Sequence, residues 1–250
     1  MAEDEEKKIS GRCVAGTFYA FICVAFTIYL IVMLVTKPLF PFRSDSAEWS
    51  SSWLLLAVFD YYHMAVCFVG IVIATENRIS GIIWSLLVLI LGAPFACLYT
   101  AKQIGIAGTL KLRENYMVVE AIYQTNTGST SGNSHSKAEK PLAGFVGYLV
   151  AASYVFIGGA FGARLGWTIF NYPLTTIASD DAEWSFEWFI TTLLDYYTIA
   201  ACVAGIVLST EDFCPGSAWF VGMAVITGPA GSAWMAQRLF RQRPLTLESA

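Results

Sequence analysis

The sequence predicts an all-α integral membrane protein with six transmembrane helices arranged as two three-helix repeats. Three observations carry this. Charged residues make up 14% of the chain and hydrophobic ones 56%, against the quarter of charged residues usual in a soluble domain. Six apolar runs reach the roughly 20 residues that a helix needs to cross about 30 Å of hydrocarbon. The chain also matches itself when slid by 135 positions.

The runs cover residues 13–36, 53–75, 80–101, 143–166, 187–210 and 216–237. They are continuous and lack period-two alternation, which excludes a membrane β-barrel. The first follows MAEDEEKKISGR without a small-residue cleavage site, so it reads as a retained helix and not as a secretory signal. The predicted organisation is an acidic cytoplasmic tail (1–12), repeat one (13–101), a flexible polar linker (102–142), repeat two (143–238) and a short tail (239–250).

The self-match is gapless through each second and third helix. Ala47-Glu48-Trp49 falls on Ala182-Glu183-Trp184, Trp53 on Trp188, and Asp60-Tyr61-Tyr62 on Asp195-Tyr196-Tyr197. Cys67 then meets Cys202, Gly70 meets Gly205, Thr75-Glu76 meets Thr210-Glu211, Trp84 meets Trp219 and Pro94 meets Pro229. The first helices follow with Tyr19 on Tyr154. A coincidence this long requires duplication of one module.

Between the copies, TNTGSTSGNSHSKAEK has the composition of a flexible linker, and KLRENYMVVEAIY before it reads as a short interfacial helix. An odd number of spans per copy with a linker that does not cross predicts an inverted repeat, in which a working site lies near the midplane between copies. In that arrangement Lys7, Lys8, Arg12, Arg78, Arg164, Arg238, Arg241 and Arg243 gather beside the termini. Charge close to the spans then favours a cytoplasmic location for both ends.

Pro41-Phe42-Arg43, Trp53, Asp60-Tyr61, Glu76, Trp84 and the Gly92…Cys97…Tyr99 tail of the third helix form a recognisable set. On these residues the chain resembles a plant family of small integral membrane proteins known only as a domain of unknown function. The resemblance covers residues 13–103 and, more loosely, 148–238, where Ala178 replaces Arg43 and Ser232 replaces Cys97. It implies a shared membrane module and brings no substrate, cofactor or catalytic residue.

Asp60 and Asp195 are the acids that fall inside spans. An ionised carboxylate there costs about 2.5–3.5 kcal/mol on insertion scales, so each asks for a reason. Seven residues into the helix corresponds to about 10 Å of depth, and in inverted copies the pair brackets the midplane. Each is a candidate proton acceptor or cation ligand, and Tyr61, Tyr62, Tyr196 and Tyr197 are candidates to line the route. The plain alternative is an interhelical hydrogen bond duplicated with its module. His63 lies on the face of Asp60 and extends a relay, but Thr198 stands at the matching position.

Glu76 and Glu211 end the second and fifth helices, where the macrodipole disfavours them by about 0.3–1 kcal/mol. They read as solvated interface acids or as a gate. Trp49, Trp53, Trp184 and Trp188 read as headgroup-level anchors. Gly158, Gly162 and Gly166 make a groove for close helix approach that the first copy lacks, and Pro94 and Pro229 are expected to kink the third and sixth helices.

Cys23, Cys67, Cys97 and Cys202 lie in apolar runs as small hydrophobes, and no cysteine–histidine spacing suits zinc or an iron–sulfur cluster, so no cofactor or metal is expected. Catalytic motifs are absent from the sequence, so no enzyme is expected. The net charge of −4 owes much to Glu3, Asp4, Glu5 and Glu6, and nucleic acid is not an expected partner. The expected partners are the lipid bilayer, a small solute or ion, and a second copy or another subunit of a membrane complex. The sequence thus leads to a small secondary transporter or channel with Asp60 and Asp195 in its pathway; the alternative is a non-catalytic membrane scaffold or accessory subunit.

Overall fold

The computed structural model describes residues 2–36, 51–112, 140–171 and 187–248, apart from 242, 244 and 246. Among them the chain is all-helical save for one isolated bridge. The helices are α1 (Ala2–Thr36), α2 (Ser52–Thr75), α3 (Arg78–Leu91), α4 (Ala93–Ile106), α5 (Lys140–Asn171), α6 (Glu187–Thr210), α7 (Phe213–Val225) and α8 (Gly228–Phe240). Four segments are long and apolar enough to cross a membrane: Val14–Thr36, Ser52–Thr75, Tyr148–Asn171 and Glu187–Thr210. Trp49, Trp184, Glu48, Glu183 and Arg43, with most of the linker and its expected interfacial helix, lie outside the described residues.

Local chemistry starts the helices where expected. The Ser51 hydroxyl accepts the N–H groups of Trp53 and Leu54 at 3.2 Å and opens α2. Asn77 accepts the Ser80 N–H at 3.0 Å and opens α3. Pro94 and Pro229 sit in the first turn of α4 and α8. There a missing N–H is harmless and the fixed φ suits a helix start. The prolines therefore begin new helices and do not kink continuous ones.

This changes the expected count of spans. In one straight helix, Trp84 and Tyr99 would be about 22 Å apart. Instead their rings meet edge to face at 5.4 Å, and Lys102 Nζ reaches back to Glu76, just before α3, at 2.7 Å. Helices α3 and α4 thus form a hairpin that turns at Gly92. In the second half, Trp234 Nε1 donates to Glu211 at 3.1 Å, so α8 returns along α7 in the same way. The third apolar run of each repeat is two half-length helices, of about 20 Å each, and not one transmembrane helix.

The expected inversion falls with it. Thr75 and Thr210 end α2 and α6; their hydroxyls accept the N–H groups of Leu247 and Leu112, at 3.1 and 3.0 Å. Leu112 and Leu247 pair with each other in the isolated antiparallel bridge. Both C-terminal ends therefore lie together, and α2 and α6 run in the same direction. With a hairpin as its third element, each half traverses the bundle an even number of times, and the two halves run parallel.

Contacts between the halves recur with both partners shifted by 135 residues. The Tyr19 hydroxyl donates to the Ala201 carbonyl at 3.1 Å, and that of Tyr154 to the Val66 carbonyl at 3.3 Å. Met64, Phe68, Ile71 and Val72 of α2 and Ile199, Val203, Ile206 and Val207 of α6 are fully buried. In lipid, apolar burial does little to drive helices together, so close packing and interhelical hydrogen bonds carry the association. Gly70 and Gly205 make room for it. A Cβ on Gly205 would lie 2.5 Å from the Tyr19 hydroxyl, and one on Gly70 would strike the hydroxyl of Tyr154.

Gly205→Ala is accordingly expected to displace Tyr19, break its bond to Ala201 and cost about 1–3 kcal/mol. Thermal unfolding in detergent measures this, with Gly159→Ala, where a Cβ meets nothing within 4 Å, as the neutral control.

Candidate functional site

The two hairpin tips collect Asp60, Tyr61, Asp195 and Tyr196, four of the eight candidate site residues. Breaking a helix in an apolar interior leaves carbonyls without partners at the end of its first half and amides at the start of its second. Asp60 Oδ1 accepts the N–H of Gly228, the first residue of α8, at 2.7 Å. Asp195 Oδ1 accepts the N–H of Ala93, the first residue of α4, at 2.6 Å. Each carboxylate thus caps a helix N-terminus of the opposite half, where orphan amides and the positive end of the helix dipole favour negative charge.

The neighbouring tyrosines serve the other side of each break. The buried Tyr61 hydroxyl donates to the Val88 carbonyl near the end of α3 at 3.0 Å, and Tyr196 donates to the Met223 carbonyl near the end of α7 at 2.8 Å. An Asp-Tyr pair on one long helix therefore binds both hairpins at once, the aspartate across the halves and the tyrosine within its own. Tyr62 and Tyr197 do not join them. They are 48% and 49% exposed on the outer surface, so they line no internal route.

The turn at each tip is tight. Gly92 has φ 80° and ψ −151°, a conformation open essentially to glycine alone. A Cβ there would lie 2.5 Å from an Asp195 oxygen. The matching residue of the second tip is Thr227, which holds φ 69° and ψ −140° despite its β-branched side chain. That strain sits beside Asp60.

The tips also differ in their polar neighbours. His63 is buried and its Nε2 is hydrogen-bonded to the Ser232 hydroxyl, which lies 3.7 Å from Cys67 Sγ. The ring of Phe161 covers the imidazole edge to face at 5.4 Å. In the other half Cys97 stands where Ser232 does, and the Thr198 hydroxyl turns back to its own helix at Leu194. Gly158 and Gly162 pack on Ser232 and Pro229 of α8, so this stretch of the glycine groove seats a hairpin within its own half. Trp53 is buried among Leu54, Leu56, Phe161 and Phe189.

Glu76 and Glu211 lie at the hairpin bases. Glu76 accepts from Lys102 at 2.7 Å, Gln103 at 3.0 Å and Ser80 at 2.9 Å, while Lys102 Nζ sits over the rings of Trp84 and Tyr99. Partial burial alone would push the Glu76 carboxyl up. The hydrogen bonds from Lys102 and Ser80 and the lysine charge together outweigh it and hold the group below its ordinary value. Glu211 takes Trp234 Nε1 and lies 3.6 Å from the buried Arg238, so the cation shifts by one residue between the halves.

A group held below its ordinary value contributes stability above its unfolded pKa, near 4.3, and loses it as pH falls through the folded value. The Glu76–Lys102 pair is partly exposed and is worth about 0.5–1 kcal/mol. Lys102→Met is expected to lower the melting temperature at pH 7 and to have little effect once Glu76 is protonated. Melting curves from pH 7 down to pH 3 check this.

The acids are legible in the sequence, but the backbone amides they bind are not. Gly92-Ala93-Pro94 and Thr227-Gly228-Pro229 each place a turn residue two positions before a proline in mid-run, a helix-restart signal that points to the hairpins. Among the described residues, no three His, Cys, Asp or Glu side chains are placed to hold a metal ion. Comparison with known proteins finds no matching family model, curated protein or solved structure.

Proposed function

We propose that this protein is a non-catalytic membrane scaffold or accessory subunit, embedded by four crossing helices and two re-entrant hairpins. The observation that carries the reading is that Asp60 and Asp195, the acids with the best claim to a transport role, are engaged as caps of the opposite half's hairpins. Supporting it, the contact between α2 and α6 is filled by buried apolar side chains. In this arrangement the N-terminal end of α1, the N-terminal end of α5, the segment after α8 and both hairpin bases share one side. Among the described residues, that side carries Lys7, Lys8, Arg12, Arg78, Lys102, Lys111, Lys140, Arg238, Arg241 and Arg243, against Arg164 towards the other. The positive-inside rule makes it cytoplasmic.

One observation favours a second reading, a proton or cation site at the Asp60 tip: the strained Thr227 and the His63–Ser232 pair lie there and have no counterpart at Asp195. The two readings separate on the Asp60→Asn, Asp195→Asn double variant, whose amide oxygens still accept the capping N–H groups. The scaffold reading expects purified wild-type protein in liposomes to pass protons and monovalent cations no faster than empty vesicles. It also expects the double variant to keep the native complex size in the source membrane. Flux in the wild type that the folded double variant abolishes overturns it in favour of the pathway.

A further inference from the structure

We propose that Cys97 and Cys202 are a redox pair, which a hydroperoxide converts to a disulfide that staples the first half's hairpin to the long helix of the second. The two thiols come from α4 and α6 and lie 3.7 Å apart, sulfur to sulfur, with both side chains fully buried. Their placement is held from above. Cys97 follows Ala93 by one helical turn and Cys202 follows Asp195 by two, and Ala93 and Asp195 are themselves joined by the 2.6 Å capping bond. Helices α4 and α6 are thus locked in register at the level of the sulfurs. A disulfide needs an S–S distance of about 2.05 Å, so the sulfurs must close by about 1.7 Å, which side-chain rotation and a small helix shift supply.

The other half is the internal control. There the matching pair is Ser232 and Cys67, at the same 3.7 Å separation, with an oxygen in place of one sulfur. The duplicated geometry is therefore kept at both places, while the second thiol that a disulfide needs exists at one. One thiol sulfur attacks a peroxide oxygen, breaks the O–O bond, passes its proton to the departing oxygen as alcohol or water and becomes a sulfenic acid. The second thiol attacks that sulfur and releases water. Two thiols and one hydroperoxide ROOH give one disulfide, one ROH and one water. Because both thiols are buried in the hydrophobic core, a membrane-partitioning hydroperoxide is the fitting oxidant.

The test uses the full chain, in liposomes, with a protease site inserted between Ser129 and Gly132 of the linker. The protein is treated with cumene hydroperoxide or with hydrogen peroxide, its remaining thiols are blocked in detergent, and the linker is cut before a non-reducing gel. The expected result is that the two halves stay joined, part on addition of dithiothreitol, and reach this state at a lower dose of cumene hydroperoxide. Cys97→Ser and Cys202→Ser should each abolish the joined species; Cys67→Ser should leave it unchanged. Serine already occupies the matching place at position 232, so Cys97→Ser keeps the fold, and gel filtration verifies this. Halves that separate after both oxidants, or that remain joined in Cys97→Ser, overturn the proposal. Peptide mapping of the oxidised wild type gives an answer free of any substitution: a linked peptide pair containing Cys97 and Cys202 is required.

Discussion

Asp60→Leu is expected to destabilise the protein by about 3–5 kcal/mol, combining a buried amide left without an acceptor with the lost charge–dipole attraction. Asp60→Asn should cost about 1 kcal/mol, because its amide oxygen can still take the Gly228 N–H. The same contrast is expected at Asp195, whose partner is Ala93. The two Leu substitutions together should leave no folded protein to purify, since each hairpin then loses its hold on the opposite half. Melting temperatures of the four single variants in one detergent measure this. Equal losses for Asn and Leu at either position would mean that charge, and not the hydrogen bond, is what the site uses.

Gly92→Val is expected to be of similar severity, about 3 kcal/mol or more. A side chain at φ 80° and ψ −151° costs about 1–3 kcal/mol in backbone strain, and its Cβ would expel the Asp195 carboxylate from the cap. The second tip offers the reverse experiment. Thr227 already carries that strain, so Thr227→Gly should stabilise by about 1 kcal/mol, partly offset by the greater freedom of glycine in the unfolded chain. Opposite shifts in melting temperature from two substitutions at matching positions would identify the turn conformation as the cause. If Thr227→Gly stabilises the protein but impairs its cellular role, the strain serves function, and the Asp60 tip becomes the place to look for it.

The acids illustrate how far the chain could be read without coordinates. Asp60 and Asp195 stand out in sequence because a carboxylate amid apolar residues has to be compensated, and that rule needs no tertiary structure. The compensating group is the backbone amide of a residue more than a hundred positions away. A backbone amide has no side-chain signature. Glu76 is similar: its unfavourable place at a helix C-terminus calls for a partner, yet Lys102 becomes that partner only because α4 folds back along α3. Tyr61 and Tyr62 are adjacent and chemically identical, and the rotation of α2 alone decides that one is buried as a cap while the other faces outwards.

By itself the sequence determined the helical class and the four segments long and apolar enough to cross a membrane, because both follow from local composition and run length. It also set the 135-residue correspondence of positions, which is a property of the string. The tertiary structure decided that each third run turns back at its midpoint, since Gly92 and Thr227 can end a helix or bend one, and distant carboxylates select the sharper outcome. With that choice came the direction of the second half. Orientation depends on whether the number of passes is odd or even, and a single hairpin in place of a span changes it for everything downstream.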